Sequence, residues 1–454
     1  MDDGFVSRRG FVAGCAGGVA AAAAARAGLA VDLATVAPAD LLADYVAMPD
    51  PSTAVEPLGN GEMAGVRWRT CRLTSQTWKD VAWTHELSMV MPADPQDTSR
   101  MLLWIDGGSG SKVPRRGLSE PTDAVKILAA VANASGLPAA VVRQVPYQPM
   151  FGDLHEDGLI AHTFVEYTKT GDPTWPLLLP MVKSAVEAMN AAVAQAGEHW
   201  GATVEEFVVT GASKRGWTTW LSAAVDERVK GIVPMVIDML SLGKHLELQV
   251  ASFGRMSEQL EDYTSRGIEK LFATPRGREL AAIVDPYAYR ERYTMPKVIA
   301  LGTNDPYWPL EACSLYYDGL PGPRWLSYCP NSGHGLPTPR VAALVAAMGR
   351  HVAGIEPLPP VDWRFDAAAD GAECVVRCDS KPERVTLWTA ASPSRDFRKA
   401  RWSSRPIDAA GPEWRAALPT PQDGFAAGLV ELEFARDPVP LVLTSGVRVV
   451  SSRG

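Results

Sequence analysis

The spacing of hydrophobic positions changes twice along the 454-residue chain. Between residues 35 and 100, apolar and polar residues alternate in short segments (Val66 to Thr74, Ala82 to Val90) broken by proline and glycine. That pattern predicts antiparallel strands with one buried face. From Met101 to about Ile355 the apolar runs become short and continuous, at Leu102–Ile105, Ala139–Arg143, Phe207–Thr210, Gly231–Ile237, Lys297–Leu301 and Arg324–Tyr328. Helical periodicity lies between most of them, clearest at Leu177–Ala196, Lys214–Val225 and Val341–Val352. Strands alternating with helices predict an α/β domain with a mostly parallel sheet covered on both faces. A long amphipathic stretch near 240–293 predicts a helical insertion over one end of that sheet. After the proline-rich stretch 354–360 the texture changes again. Strands are predicted at Glu373–Cys378, Arg384–Thr389, Leu429–Phe434, Leu441–Thr444 and Val447–Val450, with no helix between them. The expected organisation is an α/β domain over 35–355 and a β-sandwich-like domain over 356–454.

Residues 1–34 carry an address. Ser7-Arg8-Arg9-Gly10-Phe11-Val12 is a twin-arginine pattern in front of an uncharged Ala/Gly-rich run, too short and weakly apolar to span a bilayer. Export to the periplasm or beyond is expected, with no stable membrane insertion once the signal is removed. A lipid anchor at Cys15 is disfavoured because only Gly10 to Gly14 separate it from the arginines. Removing Arg8, Arg9, Arg26, Asp2 and Asp3 subtracts +1 from a net charge of −8, leaving about −9. Such an acidic chain lacks the basic face that nucleic-acid binding needs. Five cysteines then remain, an odd number, and no pair has zinc-ribbon spacing.

One serine carries most of the chemistry. The run Phe207-Val208-Val209 stops at Thr210-Gly211, and a helix-compatible stretch starts directly behind Ser213. Strand, glycine-bearing turn, serine and helix is the layout that lifts a hydroxyl into a cleft as a nucleophile. Asp305 follows the next apolar strand but one, and His334 the strand after that. Serine, then aspartate, then histidine, each past a strand's C-terminal end, is the α/β-hydrolase order. The residue types fit the work. Imidazole takes the proton that makes a hydroxyl nucleophilic, and a carboxylate on the far ring nitrogen fixes the tautomer. Asp238, after the strand Gly231–Ile237, is the rival for the acid. An oxyanion hole is expected from the Lys214 N–H and from the loop Gly107-Gly108-Ser109-Gly110, with Gly108 or Ser109 as second donor. That loop lacks the Gly-Lys-Ser/Thr ending of a phosphate cradle, and no cofactor is implied.

Lys214 and Arg215 sit where cations oppose a helix dipole. They are either tied up in salt bridges or meet an anionic group of the substrate. Trp217, Tyr307 and Trp308 flank the triad as pocket walls or as core. Glu156 and Asp157 would hold a free amine if the substrate were a peptide; otherwise they are acids in a helix's first turn. Together with His155 and His162 they invite a metal reading, but the spacing matches no zinc-protease pattern, and no metal is implied.

Several segments resemble the PhoPQ-activated pathogenicity-related proteins. They include Ser75-Gln76-Thr77-Trp78, Trp83-Thr84-His85, Gly107-Gly108-Ser109, Glu156-Asp157-Gly158-Leu159, Gly211-Ala212-Ser213-Lys214-Arg215-Gly216-Trp217, Pro330-Asn331-Ser332-Gly333-His334 and Arg395-Asp396-Phe397-Arg398. The resemblance implies an exported α/β-hydrolase-like protein with a β-rich C-terminal region, and places nucleophile, acid and base on Ser213, Asp305 and His334. It supplies no substrate. The usual Gly-x-Ser-x-Gly elbow is altered, with Arg215 in the last position and Gly216 after it. Glucuronoyl esterases are similar in this, which makes esters of acidic sugars one expected class. A small-molecule ester, a peptide or a carbohydrate ester all remain open, as does a non-catalytic protein on a hydrolase scaffold.

Overall fold

The computed structural model describes residues 37–452 apart from 115, 116, 411, 412 and 438. The predicted export signal and Cys15 lie outside these described residues. The chain enters through helix α1 (Pro38–Ala47) and three long antiparallel strands, β1 (Ala54–Met63), β2 (Val66–Trp78) and β3 (Val81–Pro92). Lys79 and Asp80 join β2 to β3 with φ of 48° and 62°, the two-residue left-handed turn whose twist matches that of the strands. Strands β4 (Arg100–Ile105), β5 (Ala139–Val142), β6 (Glu206–Ala212), β7 (Val229–Met235), β8 (Lys297–Gly302) and β9 (Arg324–Cys329) follow. They lie side by side as β5-β4-β6-β7-β8-β9, all parallel, with β3 antiparallel against β5. Every residue of β5 and β8 is buried, as expected of parallel strands covered on both faces.

Helices α2 (Asp123–Ser135), α3 (Glu156–Thr170), α4 (Leu178–Trp200) and α5 (Lys214–Val225) lie between these strands, and α10 (Thr338–Val352) follows β9. The buried apolar side chains form two cores, one on each face of the sheet. Leu41, Leu178 and Trp220 belong to one, and Val125, Leu128, Leu344 and Val345 to the other. The stretch between β7 and β8 is broken into α6 (Leu242–Phe253), α7 (Glu261–Thr264), α8 (Ile268–Leu271) and α9 (Pro275–Val284) rather than running as one long helix. Gly254 and Gly267, both at φ near +70°, supply two of the breaks.

Strands β10 (Val361–Ala367) to β18 (Arg448–Ser451) form the C-terminal region, with β11 (Ala372–Cys378), β12 (Arg384–Ser392), β13 (Ser403–Pro406), β14 (Ala409–Ala410), β15 (Glu413–Leu418), β16 (Phe425–Phe434) and β17 (Leu441–Thr444) between them. One sheet runs β10-β11-β15-β14. The other strands extend the central sheet, because β17 pairs antiparallel with β9 through Thr444 and Leu326 and is followed by β16, β12 and β13. Cys374, Val376, Ala416 and Leu418 of the first sheet share a core with Leu387, Val430 and Leu432 of the second. The architecture is an α/β-hydrolase-type sheet with an antiparallel β-rich extension at its C-terminal end. Because β4 to β9 are parallel, the loops after β4, β6, β7, β8 and β9 open on one edge, where Gly108, Ser213, Asp238, Asp305 and His334 all lie.

Candidate active site

Ser213 stands between the last residue of β6 and the first of α5, with φ of 57° and ψ of −124°. A non-glycine residue pays strain in that region, and such strain collects at functional turns. Three contacts hold it. The Ser213 N–H donates to the Met235 carbonyl at 2.8 Å, and the Ser213 carbonyl accepts from Trp217 N–H at 2.9 Å. The glycines around it supply the third. A Cβ on Gly211 would lie 2.7 Å from the Arg215 carbonyl oxygen, and one on Gly216 only 2.8 Å from the Ile237 side chain and 2.9 Å from the Met235 carbonyl. Gly216 therefore allows the close approach of helix to strand that the altered elbow requires, leaving the position of Arg215 free for a long side chain.

His334 bridges the other two groups. Its Nδ1 lies 2.8 Å from Asp305 Oδ2 and its Nε2 lies 2.8 Å from Ser213 Oγ. A carboxylate only accepts, so Nδ1 carries the proton in the neutral ring and Nε2 is left to accept from the serine hydroxyl. Asp305 is almost wholly buried, and its second oxygen accepts from Tyr307 N–H at 2.9 Å. The Tyr307 ring covers the imidazole with centroids 4.3 Å apart. Asp238 does not take part. Val236, at φ 46°, turns the chain out of β7 two residues before it, so the strand ends at Met235 and not at Ile237. Asp238 is fully buried and accepts from Tyr316 O–H at 2.8 Å. Burial pushes its pKa up to about 8 in spite of that bond, so near neutrality it is mostly an uncharged acid.

The four charged residues near Ser213 pair with one another. Lys214 Nζ lies 2.8 Å from Asp157 Oδ2 and 3.5 Å from Glu156 Oε2, and Arg215 donates to both Glu156 oxygens at 2.6 and 2.7 Å. Tyr263 O–H takes the remaining Asp157 oxygen at 2.9 Å. Burial would raise the Glu156 pKa, but the Arg215 bonds and the two cations outweigh it and hold the carboxyl down at about 2. Of the alternatives the sequence offers, the structure shows the salt bridge for Lys214 and Arg215, with Glu156 and Asp157 in the first turn of α3 as the acids. Arg215 has a further contact. Its guanidinium packs where a Cβ on Gly107 would lie, 2.5 Å away, and its Nε donates to the Val145 carbonyl at 2.5 Å. The loop holding Gly108 (φ 136°) and Ser109 is thereby pressed against the first turn of α5, whose N–H groups lack intrahelical partners. Ser109 Oγ lies 2.9 Å from Ser111 Oγ.

A cavity of about 80 Å³ begins at Ser213 and Lys214 and runs beneath α6, α7 and α8. Trp217, Tyr307 and Trp308 line it, as does Asp157, whereas Gly108, Ser109, Arg215 and Glu156 do not. Trp217 and Trp308 each use the indole N–H on a backbone carbonyl, of Val284 and Val236, and show the cavity only carbon. His155 and His162 join no metal-ligand cluster among the described residues. None of the described helices is long and apolar enough to cross a membrane.

Residues 42–398 match the family model described as PhoPQ-activated pathogenicity-related protein. The chain belongs to this PhoPQ-activated pathogenicity-related family. It is similar to autocrine proliferation repressor protein A of Dictyostelium discoideum, with 31% identity over 79% of this chain and 76% of that one. Among solved structures it is similar to acetyl xylan esterase 1 from Thermoanaerobacterium sp. JW/SL YS485 (14% identity, 69% and 92% of the two chains, TM-score 0.46). It is also similar to an S-formylglutathione hydrolase from Agrobacterium tumefaciens (13% identity, 66% and 98%, TM-score 0.40).

The family match runs past the central sheet into the segment Arg395–Arg398, and the structure places that PhoPQ-related segment against the loops of Asp305 and His334. Asn304 Nδ2 donates to the carbonyls of Ala400 (2.7 Å) and Phe397 (3.1 Å). Asn331 donates to the Trp402 carbonyl at 3.0 Å and accepts from its N–H at 2.9 Å. Arg398 pairs with Asp396 at 2.7 Å and with Glu258 at 2.8 Å, and covers the Phe253 ring at 4.1 Å, so the same segment reaches the helices over the cavity. Asn304 and Asn331 escape a sequence reading because each partner lies about 70 to 95 residues away and an asparagine in a loop is ordinary turn chemistry. The only hint is that both sit within a few residues of a predicted triad member.

Proposed function

We propose that the protein is an exported serine hydrolase that cleaves an ester or amide through an acyl-enzyme on Ser213. The observation that supports this best is the double contact of His334, 2.8 Å to Ser213 Oγ and 2.8 Å to Asp305. In this reading Ser213 Oγ attacks the substrate carbonyl carbon while its proton passes to His334 Nε2. Asp305 stabilises the imidazolium that forms. The negative charge on the carbonyl oxygen is met by the Lys214 N–H and by an N–H of the Gly108–Ser109 loop. Collapse breaks the bond to the leaving alcohol or amine, which takes the proton from His334. Water, deprotonated by the same imidazole, then attacks the acyl carbon; the bond to Ser213 Oγ breaks, His334 returns the proton to that oxygen, and the acid is released. Every step uses side chains and backbone of this chain alone.

A fluorophosphonate probe tests the reading. Labelling of the folded protein that disappears in Ser213→Ala is expected, and an unlabelled wild type would sink the proposal. One observation favours a second reading, a non-catalytic regulator on a hydrolase scaffold. The relative with 31% identity is named as a proliferation repressor, and that name states no reaction. The regulator reading requires Ser213→Ala to keep whatever biological activity the wild type has.

A further inference from the structure

The cavity beside Ser213 discriminates by what it lacks. Phe164, Met239, Leu246, Leu260, Ile268 and Phe272 line it, and the surface it offers an occupant is almost entirely carbon. Asp157 and His245 on the wall have polar atoms engaged elsewhere. Asp157 is taken by Lys214 and Tyr263. His245 receives the Gln249 side-chain amide at 3.2 Å on Nε2, and burial holds its pKa down at about 3, so the ring is neutral. His245 Nδ1 and Glu269 Oε2 have no partner among the described residues, and neither is in contact with free space. Among the described residues, Glu269 is the wall carboxylate without a cation, and Lys214 is already paired, so the wall holds no positive charge free to meet an anion. An anionic group placed there would lose its water and gain no counter-ion. Size adds a second limit. An engineered cavity of about 150 Å³ holds one benzene ring, so 80 Å³ takes roughly three or four non-hydrogen atoms.

We infer that the group seated beside Ser213 is a short aliphatic chain of about three or four carbons that carries no anionic group, and that the substrate is a short-chain ester rather than an ester of an acidic sugar whose acid enters this cavity. The inference rests on Ser213 being the nucleophile proposed above. Two series test it on the full-length protein, one with para-nitrophenyl esters of acids from two to eight carbons and one with acetate esters of alcohols of the same lengths. A maximum in kcat/KM near four carbons is expected in one series, falling about tenfold or more by eight carbons. Against the butyrate, the anionic hemisuccinate ester should be slower by about 100-fold. Leu260→Ala opens the wall and should move the optimum towards six carbons. Leu246→Trp fills it and should move the optimum to two. Opposite shifts from two wall variants cannot come from a general loss of folding. Hydrolysis with no length optimum in either series, or with the hemisuccinate ester cleaved as fast as butyrate, overturns the inference and leaves the role of Ser213 standing. Hydrolysis of none of the esters, together with no fluorophosphonate labelling, overturns both.

Discussion

The two sides of the proposed triad are held in place by different physics. On the nucleophile side, the turn at Ser213 is braced by charge. Arg215 and Lys214 at the start of α5 grip Glu156 and Asp157 at the start of α3, and Arg215 also supports the glycine loop after β4. On the other side, the loops of Asp305 and His334 are braced by neutral hydrogen bonds. They cross so closely that a Cβ on Gly302 would lie 2.2 Å from the Gly333 carbonyl oxygen. Asn304 and Asn331 then tie them to residues 397–402 of the C-terminal region. The β-rich extension is thus part of what shapes the acid–base pair, whereas the serine turn is supported from within the α/β region. One side is braced by ion pairs, and the other depends on the integrity of the C-terminal segment.

The largest expected effect tests whether the acid is where the contacts place it. Asp305→Asn should lower kcat by roughly 10⁴, because an amide facing Nδ1 permits the wrong imidazole tautomer. Asp238→Asn should stay within about threefold of wild type, since its carboxyl is already neutral near pH 7 and an amide oxygen can still accept from Tyr316. Steady-state kinetics on any cleaved ester settles it, and equal losses from both variants would remove Asp305 from its role. The next effect concerns the C-terminal tie. Asn304→Ala strands the carbonyls of Phe397 and Ala400 and frees the loop before Asp305. It should cost about 1–3 kcal/mol in chemical denaturation and tens-fold in kcat at little change in KM. If kcat is untouched while stability falls, the C-terminal segment supports the fold but not the site.

Much of this was legible in the residues. All six parallel strands lie within about two residues of the predicted runs, because strands buried on both faces must be continuously apolar. Ser213, Asp305 and His334 were legible because a nucleophile turn needs small residues around it, and the topology brings strand ends to one edge. The pairing of β17 with β9 was not. Its register is set at Thr444 and Leu326 and backed by Ser327 and Tyr328 bonds to β17, and a hydrophobic pattern reports which face is buried but not which strand lies alongside. The partners of Lys214 and Arg215 were not legible for a related reason. Their position at a helix N-terminus demands an anion, but periodicity does not say that Glu156 and Asp157, almost 60 residues earlier, are the anions that meet them.

The smallest expected effect separates the charged brace from the neutral one. Glu156→Gln removes the charge facing Arg215, whose own side chain is only 11% exposed. A fully buried pair broken this way would cost several kcal/mol. Glu156 is 36% exposed, however, so solvent screening reduces the loss to about 1–2 kcal/mol, with a fall of a few-fold in kcat. The sign with pH follows from the depressed carboxyl. Its folded pKa of about 2 lies below the unfolded value of 4.5. The stabilisation is therefore fully present above pH 4.5 and is lost as pH falls towards 2. Between those limits the wild type should converge on Glu156→Gln in denaturant midpoint, while the deficit of Asn304→Ala, which involves no titrating group, stays constant across the same window. A constant gap for Glu156→Gln would mean that its bonds, not its charge, brace the serine turn, and the contrast between the two sides of the site would then fail.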